Sequence, residues 1–407
     1  ELQPSHADPH LSLPREEPTF DDGNPAAVVP GNAAGASVKS RGSLMKKSFL
    51  RIAGHTTIAV IMLYGYLITK AFSNWGQLLS FDPILIPMLL VGLFLSIHVH
   101  IFLHEAGHFI FGKLSGYRLV SFQVRRFKYS QADHSLHHMQ TASPLLAGQC
   151  LMAPPKGDYA ELPYRSYLLG GIMANALMGT VLYSSAFLME LKLGFLFVLF
   201  SFVPIWMAFA NLLPKGQNDG AVLREVSQSL LARKLLFQQL EMAQLIEGKV
   251  PFADLPDTYF ESINDAQYQK TFLIDYFFMV AYARALDGLE FEEADSLLQA
   301  FSANRPVEES VYWPVYMLES LFCDVLFGRL ADAEEKYIQI QAQPLLKRHW
   351  FGNRRIRASY AFFCLVDVEA TKKLLEQEQA AAMDPTPETD ANIELRLYRW
   401  LKSYFEN

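Results

Sequence analysis

Apolar positions along this chain fall into two regimes. Four long blocks come first, at residues 53–72 ("AGHTTIAVIMLYGYLITKAF"), 83–113, 166–189 and 193–213. Each reaches the roughly 20 mostly apolar residues needed to cross a bilayer as a helix. The second block would be about 46 Å long at 1.5 Å per residue, so it should tilt or project beyond the lipid. From about residue 221 the pattern changes to charged helical stretches carrying aromatic and aliphatic stripes. Three of them resemble one another: "YARALDGLEFEEADSLL" (282–298), "FCDVLFGRLADAEEKYI" (322–338) and "YAFFCLVDVEATKKLL" (360–375). Ala294, Ala333 and Ala370 lie at matching places in them, spaced as in stacked helix pairs, and "GRLADA" reads like a tetratricopeptide-type turn.

Between the second and third blocks, "YRLVSFQVRRFKYS" and "HHMQTASPLLAGQCLMAPP" mix β-branched and aromatic residues with partial alternation, a pattern of a small hairpin or sheet. The expected fold is therefore mainly α. A polytopic bundle of about four spans with a small β element (45–220) precedes a cytosolic helical-repeat domain (221–407). Residues 1–44, rich in Pro, Gly, Asp and Ser, read as a disordered tail or tag, with Met45 as a natural start.

Charge sets the orientation. Lys46, Lys47 and Arg51 precede the first block, and Lys113, Arg118, Arg125, Arg126, Lys128 and Arg165 follow the second. Under the positive-inside rule both termini are cytosolic. The end of the second block and the end of the fourth then lie at the same face. A net charge of −7 argues against a nucleic-acid partner, and three scattered cysteines argue against a disulfide framework or a cysteine zinc site.

One block carries chemistry. "IFLHEAGHFIFG" (101–112) puts His104, Glu105 and His108 inside an otherwise lipid-like run. On a helix, residues four apart share a face with Cβ atoms roughly 5–6 Å apart, so both imidazoles can reach one zinc ion. Glu105 stands one step round, where it can reach a water on that metal. Ionisable groups at bilayer depth cost about 2.5–3.5 kcal/mol on insertion scales and so face a partner or a cavity. Catalytic zinc normally has three protein ligands. Asp219, in "NLLPKGQNDG" (211–220) after the fourth block, is the candidate third, because Pro214 should break the helix and the orientation brings it to the depth of His104 and His108. The other histidines draw weaker readings: His98 and His100 as polar helix contacts or cavity-lining groups, and the loop cluster Asp133, His134, His137 and His138 as no site.

These two motifs together resemble the site-2 protease family of intramembrane zinc metalloproteases. Asn211, Pro214, Asp219 and Gly220 fit that family's Asn-x-x-Pro motif with its downstream Asp-Gly, and Gly171 and Asn175 in "GGIMANALMG" match its Gly-x-x-x-Asn. The resemblance covers roughly residues 45–225. It implies zinc held by His104, His108 and Asp219, with Glu105 as general base and acid, and substrate-binding or oxyanion tasks for Asn175 and Asn211. The implied activity is hydrolysis of a peptide bond in or near a transmembrane segment of a membrane protein or peptide precursor. A hairpin within 117–152 would receive the unwound substrate by strand addition. By analogy the protein is a multi-pass protein of a bacterial plasma membrane, in contact with lipid, with a protein partner on the helical repeats. The competing expectation is an inactive membrane scaffold that works through those repeats. One position departs from the family pattern: Asn218 stands where leucine is common before the Asp.

Overall fold

The computed structural model describes residues 85–138, 148–265, 267, 270–304, 306–382 and 388–406. The tail at 1–44 and the first expected span at 53–72 lie outside the described residues. Three helices among the described residues are long and apolar enough to cross a membrane, over Leu90–Leu114, Tyr164–Leu188 and Leu193–Leu212. They correspond to the second, third and fourth apolar blocks.

The first, α1 (Leu85–Leu114), is 30 residues long. Leu90, Phe94 and Phe102 on it are at least half exposed, as expected of side chains that meet lipid rather than protein. It ends where Gly116 takes the left-handed conformation (φ +88°) and the Tyr117 amide donates back to the Gly112 carbonyl at 3.0 Å. The chain then enters a four-stranded antiparallel sheet of β1 (Arg118–Val124), β2 (Phe127–Ser130), β3 (Ser135–His138) and β4 (Gly148–Ala153), in the order β3-β2-β1-β4. The expected hairpin is thus the centre of a small sheet. Strand β1 lies inside, with Phe122 opposite both Tyr129 and Cys150. Strand β4 is an edge strand, and it packs against α1.

Pro163 precedes α2 (Tyr164–Ser185), and α3 (Leu191–Leu212) follows. Glycines set how closely α1 and α2 meet. A Cβ on Gly107 would fall 2.3 Å from the Gly170 carbonyl oxygen, and one on Gly170 would fall 2.6 Å from the Gly107 carbonyl oxygen. The two backbones therefore touch at this level, which only small residues permit.

After α3 come α4 (Asp219–Gln228) and α5 (Leu230–Glu247). Helix α5 ties the sheet to the rest. Lys128 on β2 pairs with Glu247, Tyr159 donates to Glu241 at 2.7 Å, and Arg233 donates to the Ala160 carbonyl at 2.6 Å while lying over the Tyr164 ring. The remaining helices are α6 (Ile274–Asp287), α7 (Phe291–Asn304), α8 (Trp313–Leu326), α9 (Leu330–Ala342), α10 (Pro344–Gly352), α11 (Arg354–Phe363), α12 (Val368–Ala382) and α13 (Glu388–Glu406). Consecutive pairs α6 with α7, α8 with α9, and α11 with α12 pack against each other across short turns. These pairs coincide with the three similar sequence stretches. Ala294 and Ala333 are fully buried, small enough for the partner helix to close over them, whereas Ala370 is only partly covered.

A buried ionic knot joins these helices. Arg355 on α11 donates to both oxygens of Glu319 on α8 (2.8 and 3.0 Å) and to Glu394 on α13 (2.9 Å), while Tyr282 on α6 donates to Glu319 at 2.7 Å. The two carboxylates outweigh burial and hold the Arg355 pKa well above its ordinary value. One hydrophobic cluster runs from Tyr117 through α5 to Leu397, so packing continues across the boundary expected near residue 220.

Candidate metal centre

His104 and His108 lie one turn apart on α1, and Asp219 opens α4. The structure brings the three together. His104 Nε2 lies 3.2 Å from His108 Nε2, and Asp219 Oδ2 lies 3.0 and 3.4 Å from those two nitrogens. Ligands bonded to one zinc at about 2.0–2.1 Å in tetrahedral geometry stand about 3.3 Å from one another. The triangle has the edges of that tetrahedron. His104 and His108 are buried, and the Asp219 side chain is 23 % exposed.

The hydrogen bonds behind the imidazoles turn their other ring nitrogens towards a shared proton or cation. His108 Nδ1 donates to the Tyr167 carbonyl at 2.7 Å, which leaves the Nε2 lone pair turned towards the cluster. A bare lone pair against a carboxylate oxygen is repulsive unless a proton or a cation lies between. His104 Nδ1 meets the amide of Asn175 at 3.3 Å. Among the described residues the Asn175 oxygen has no partner, so turning that amide would let it accept from Nδ1–H and free His104 Nε2 in the same way. Two imidazoles and one carboxylate make a donor set that could hold a metal ion.

Glycine makes room for this arrangement. A Cβ on Gly171 would lie 2.6 Å from Nε2 of both His104 and His108. The Gly-x-x-x-Asn spacing on α2 therefore has two local tasks: Gly171 leaves space for the imidazoles, and Asn175, fully buried, holds one of them from behind. Glu105 is buried beside the cluster, its carboxylate against Gly148. Tyr167 donates its hydroxyl to the Cys150 carbonyl at 2.8 Å. The Cys150 carbonyl on edge strand β4 is thus occupied, and an added strand would have to displace the Tyr167 hydroxyl there.

Asn218 explains why Asp219 stands where it does. Its side-chain oxygen accepts from the Ala221 amide at 3.0 Å, capping α4, and from the Lys215 amide at 3.2 Å. Its nitrogen donates to the carbonyls of Ala210 (2.9 Å) and Leu213 (2.8 Å) at the end of α3. One amide therefore ties the end of one helix to the start of the next. A leucine could do none of this. The signal was present in the sequence as an N-cap residue ahead of a helical pattern.

The cluster opens into a cleft of about 720 Å³, lined by His104, Glu105, His108, Asp219 and Asn211 among others. Asn211 donates its amide to the Met207 carbonyl at 3.1 Å. Asn175 does not line the cleft. His98 contacts Arg125 of the turn between β1 and β2 at 2.6 Å, and His100 is buried one turn before His104, outside the ligand triangle. Asp133 and His137 pair locally at 2.8 Å; the Ser135 hydroxyl and His137 hold the Asp133 carboxyl down at about 2. Among the described residues, the triangle is the one group of three His, Cys, Asp or Glu side chains close enough to share an ion. Comparisons with protein-family models, with curated proteins and with solved structures return no match.

Proposed function

We propose that this protein is a zinc-dependent intramembrane endopeptidase that cuts a membrane protein or peptide precursor in or near a transmembrane segment. The observation that carries the reading is the triangle of His104, His108 and Asp219 with Glu105 beside it, at the end of a membrane-length helix. The two motifs that meet there are those through which the chain resembles the site-2 protease family.

Zinc bound to the three ligands would supply Lewis acidity to a peptide carbonyl and to water. Glu105 is the chain's own acid and base. Its carboxylate takes a proton from water as the water oxygen bonds to the carbonyl carbon, then returns it to the amide nitrogen as the carbon–nitrogen bond breaks. Tyr167 and Asn175 keep the imidazoles turned, and Asn211 on the cleft wall is a candidate substrate contact. The substrate helix must unwind locally, since a carbonyl engaged in helical hydrogen bonding is a poor target. The paired C-terminal helices fit a tetratricopeptide-like repeat array, and such arrays present surfaces to peptides or proteins. Under the same reading the first apolar block adds a fourth span, and both termini are cytosolic.

Glu105→Gln separates this reading from a scaffold. The variant should retain zinc and lose cleavage, so membrane proteomics of cells carrying it should show uncut precursors that are processed in cells carrying the parent. Equal processing in both would refute a proteolytic role.

A further inference from the structure

The cleft has a second wall, which the ligand triangle does not require. Val311, Tyr312, Pro314 and Val315, at and just before the start of α8, line it together with His349 of α10. The C-terminal helices therefore face the same cavity as Glu105 and the three candidate ligands. Its volume of about 720 Å³ falls within the range of roughly 300–1,000 Å³ typical of ligand clefts.

Two polar groups in this cleft are unmatched. Gln217 Nε2, on the loop leading to Asp219, and His349 Nε2, on the opposite wall, are both buried without a hydrogen-bond partner among the described residues. Three other polar groups nearby are committed: Asn211 to Met207, Asn218 to the helix junction, and the Cys150 carbonyl to Tyr167. Burial and the neighbouring Arg348 lower the His349 pKa, which favours the neutral ring, able to donate or accept. A buried polar atom without a partner is destabilising in the free protein, and a ligand that supplies the partner recovers that loss. Val311 and Val315, 38 % and 43 % exposed, add apolar surface beside His349. An extended peptide offers the matching chemistry: backbone carbonyls and amides alternating with side chains.

We propose that the cleft grips an extended peptide between its two walls, with the Gln217 amide donating to a backbone carbonyl on the Asp219 side and His349, Val311 and Val315 holding the flanking residues. The C-terminal helices thereby select which segments are cut. This rests on the metalloprotease reading.

The test uses the full chain in detergent, loaded with zinc, and two probes: acetohydroxamate, which binds only the metal, and a fluorescein-labelled leucyl-phenylalanyl-valyl hydroxamate, whose peptide arm must lie in the cleft. Gln217→Leu, His349→Ala and the double variant Val311→Ser, Val315→Ser should each weaken the peptidyl probe roughly fivefold to tenfold, the scale of one hydrogen bond or a small apolar contact. Zinc content and acetohydroxamate affinity should match the parent, and His349→Gln should recover part of the lost affinity. Undiminished binding of the peptidyl probe to all three variants would overturn the proposal while leaving the zinc site standing. A parent protein that binds neither zinc nor acetohydroxamate would overturn both.

Discussion

Replacing Gly171 by alanine tests the geometry of the centre without touching a ligand. The added methyl would lie 2.6 Å from His104 Nε2 and His108 Nε2, whereas ordinary contact begins near 3.4 Å, so something must yield by about 0.8 Å (3.4 minus 2.6). The rings have little room to retreat, because His108 is fixed by the Tyr167 carbonyl and His104 lies against the buried Asn175. Helix α2 cannot easily withdraw either, since Gly170 and Gly107 already hold it backbone to backbone with α1. Overpacking of this kind costs about 1–3 kcal/mol. Because metal–ligand distances tolerate only about 0.2 Å, most of that cost should fall on metal affinity. At 1.36 kcal/mol per tenfold, zinc should bind roughly 5- to 160-fold more weakly. The assay is zinc occupancy measured against a series of chelator-buffered free zinc concentrations. Met173→Ala is the control: that residue is on the same helix and 46 % exposed, and its loss should leave the curve in place. A Gly171→Ala protein that half-saturates at the parental zinc concentration would refute the close approach described here.

Asn218→Ala removes a helix cap worth about 0.5–2 kcal/mol and the tie between α3 and α4; zinc occupancy should fall although no ligand is altered, and parental occupancy would show that the junction does not position Asp219. Asn175→Leu keeps the volume beside His104 but removes its polar contact, so zinc affinity should drop about 10- to 100-fold in the same titration, and an unchanged curve would remove Asn175 from the site. Arg355→Ala leaves Glu319 buried without its cation; breaking such a pair costs about 3–5 kcal/mol, which should appear as a marked fall in the denaturation midpoint of the C-terminal helices with zinc content unaltered, and an unshifted midpoint would contradict the knot's role.

What could be read from the sequence was what local spacing controls. His104 and His108 share a face because a helix repeats every 3.6 residues, and the second, third and fourth apolar blocks announce their helices by length. Asp219 was within reach because Pro214 and the charge bias confined the end of the fourth block. The limits came where contact depends on distant segments. Gly171 marks a close approach whose partner cannot be known from spacing alone. Asn175 was expected at the substrate and stands against His104 Nδ1. Asn218, read only as a departure from the family pattern, caps α4 and secures α3. The sheet was visible only as alternation, because strand order and the edge position of β4 depend on pairings between segments that alternation does not specify. His349 and Val315 had no local signal at all, since they meet the cleft only through the packing of α8 and α10.

Zinc stoichiometry of the purified protein, measured side by side for the parent, His108→Ala and Asp219→Ala at one buffered free zinc concentration, bears on the central claim most directly. The account predicts about one zinc per chain in the parent and a sharp loss in both variants, because each removes one corner of the triangle. A parent without zinc, or an Asp219→Ala protein that holds as much as the parent, would contradict it.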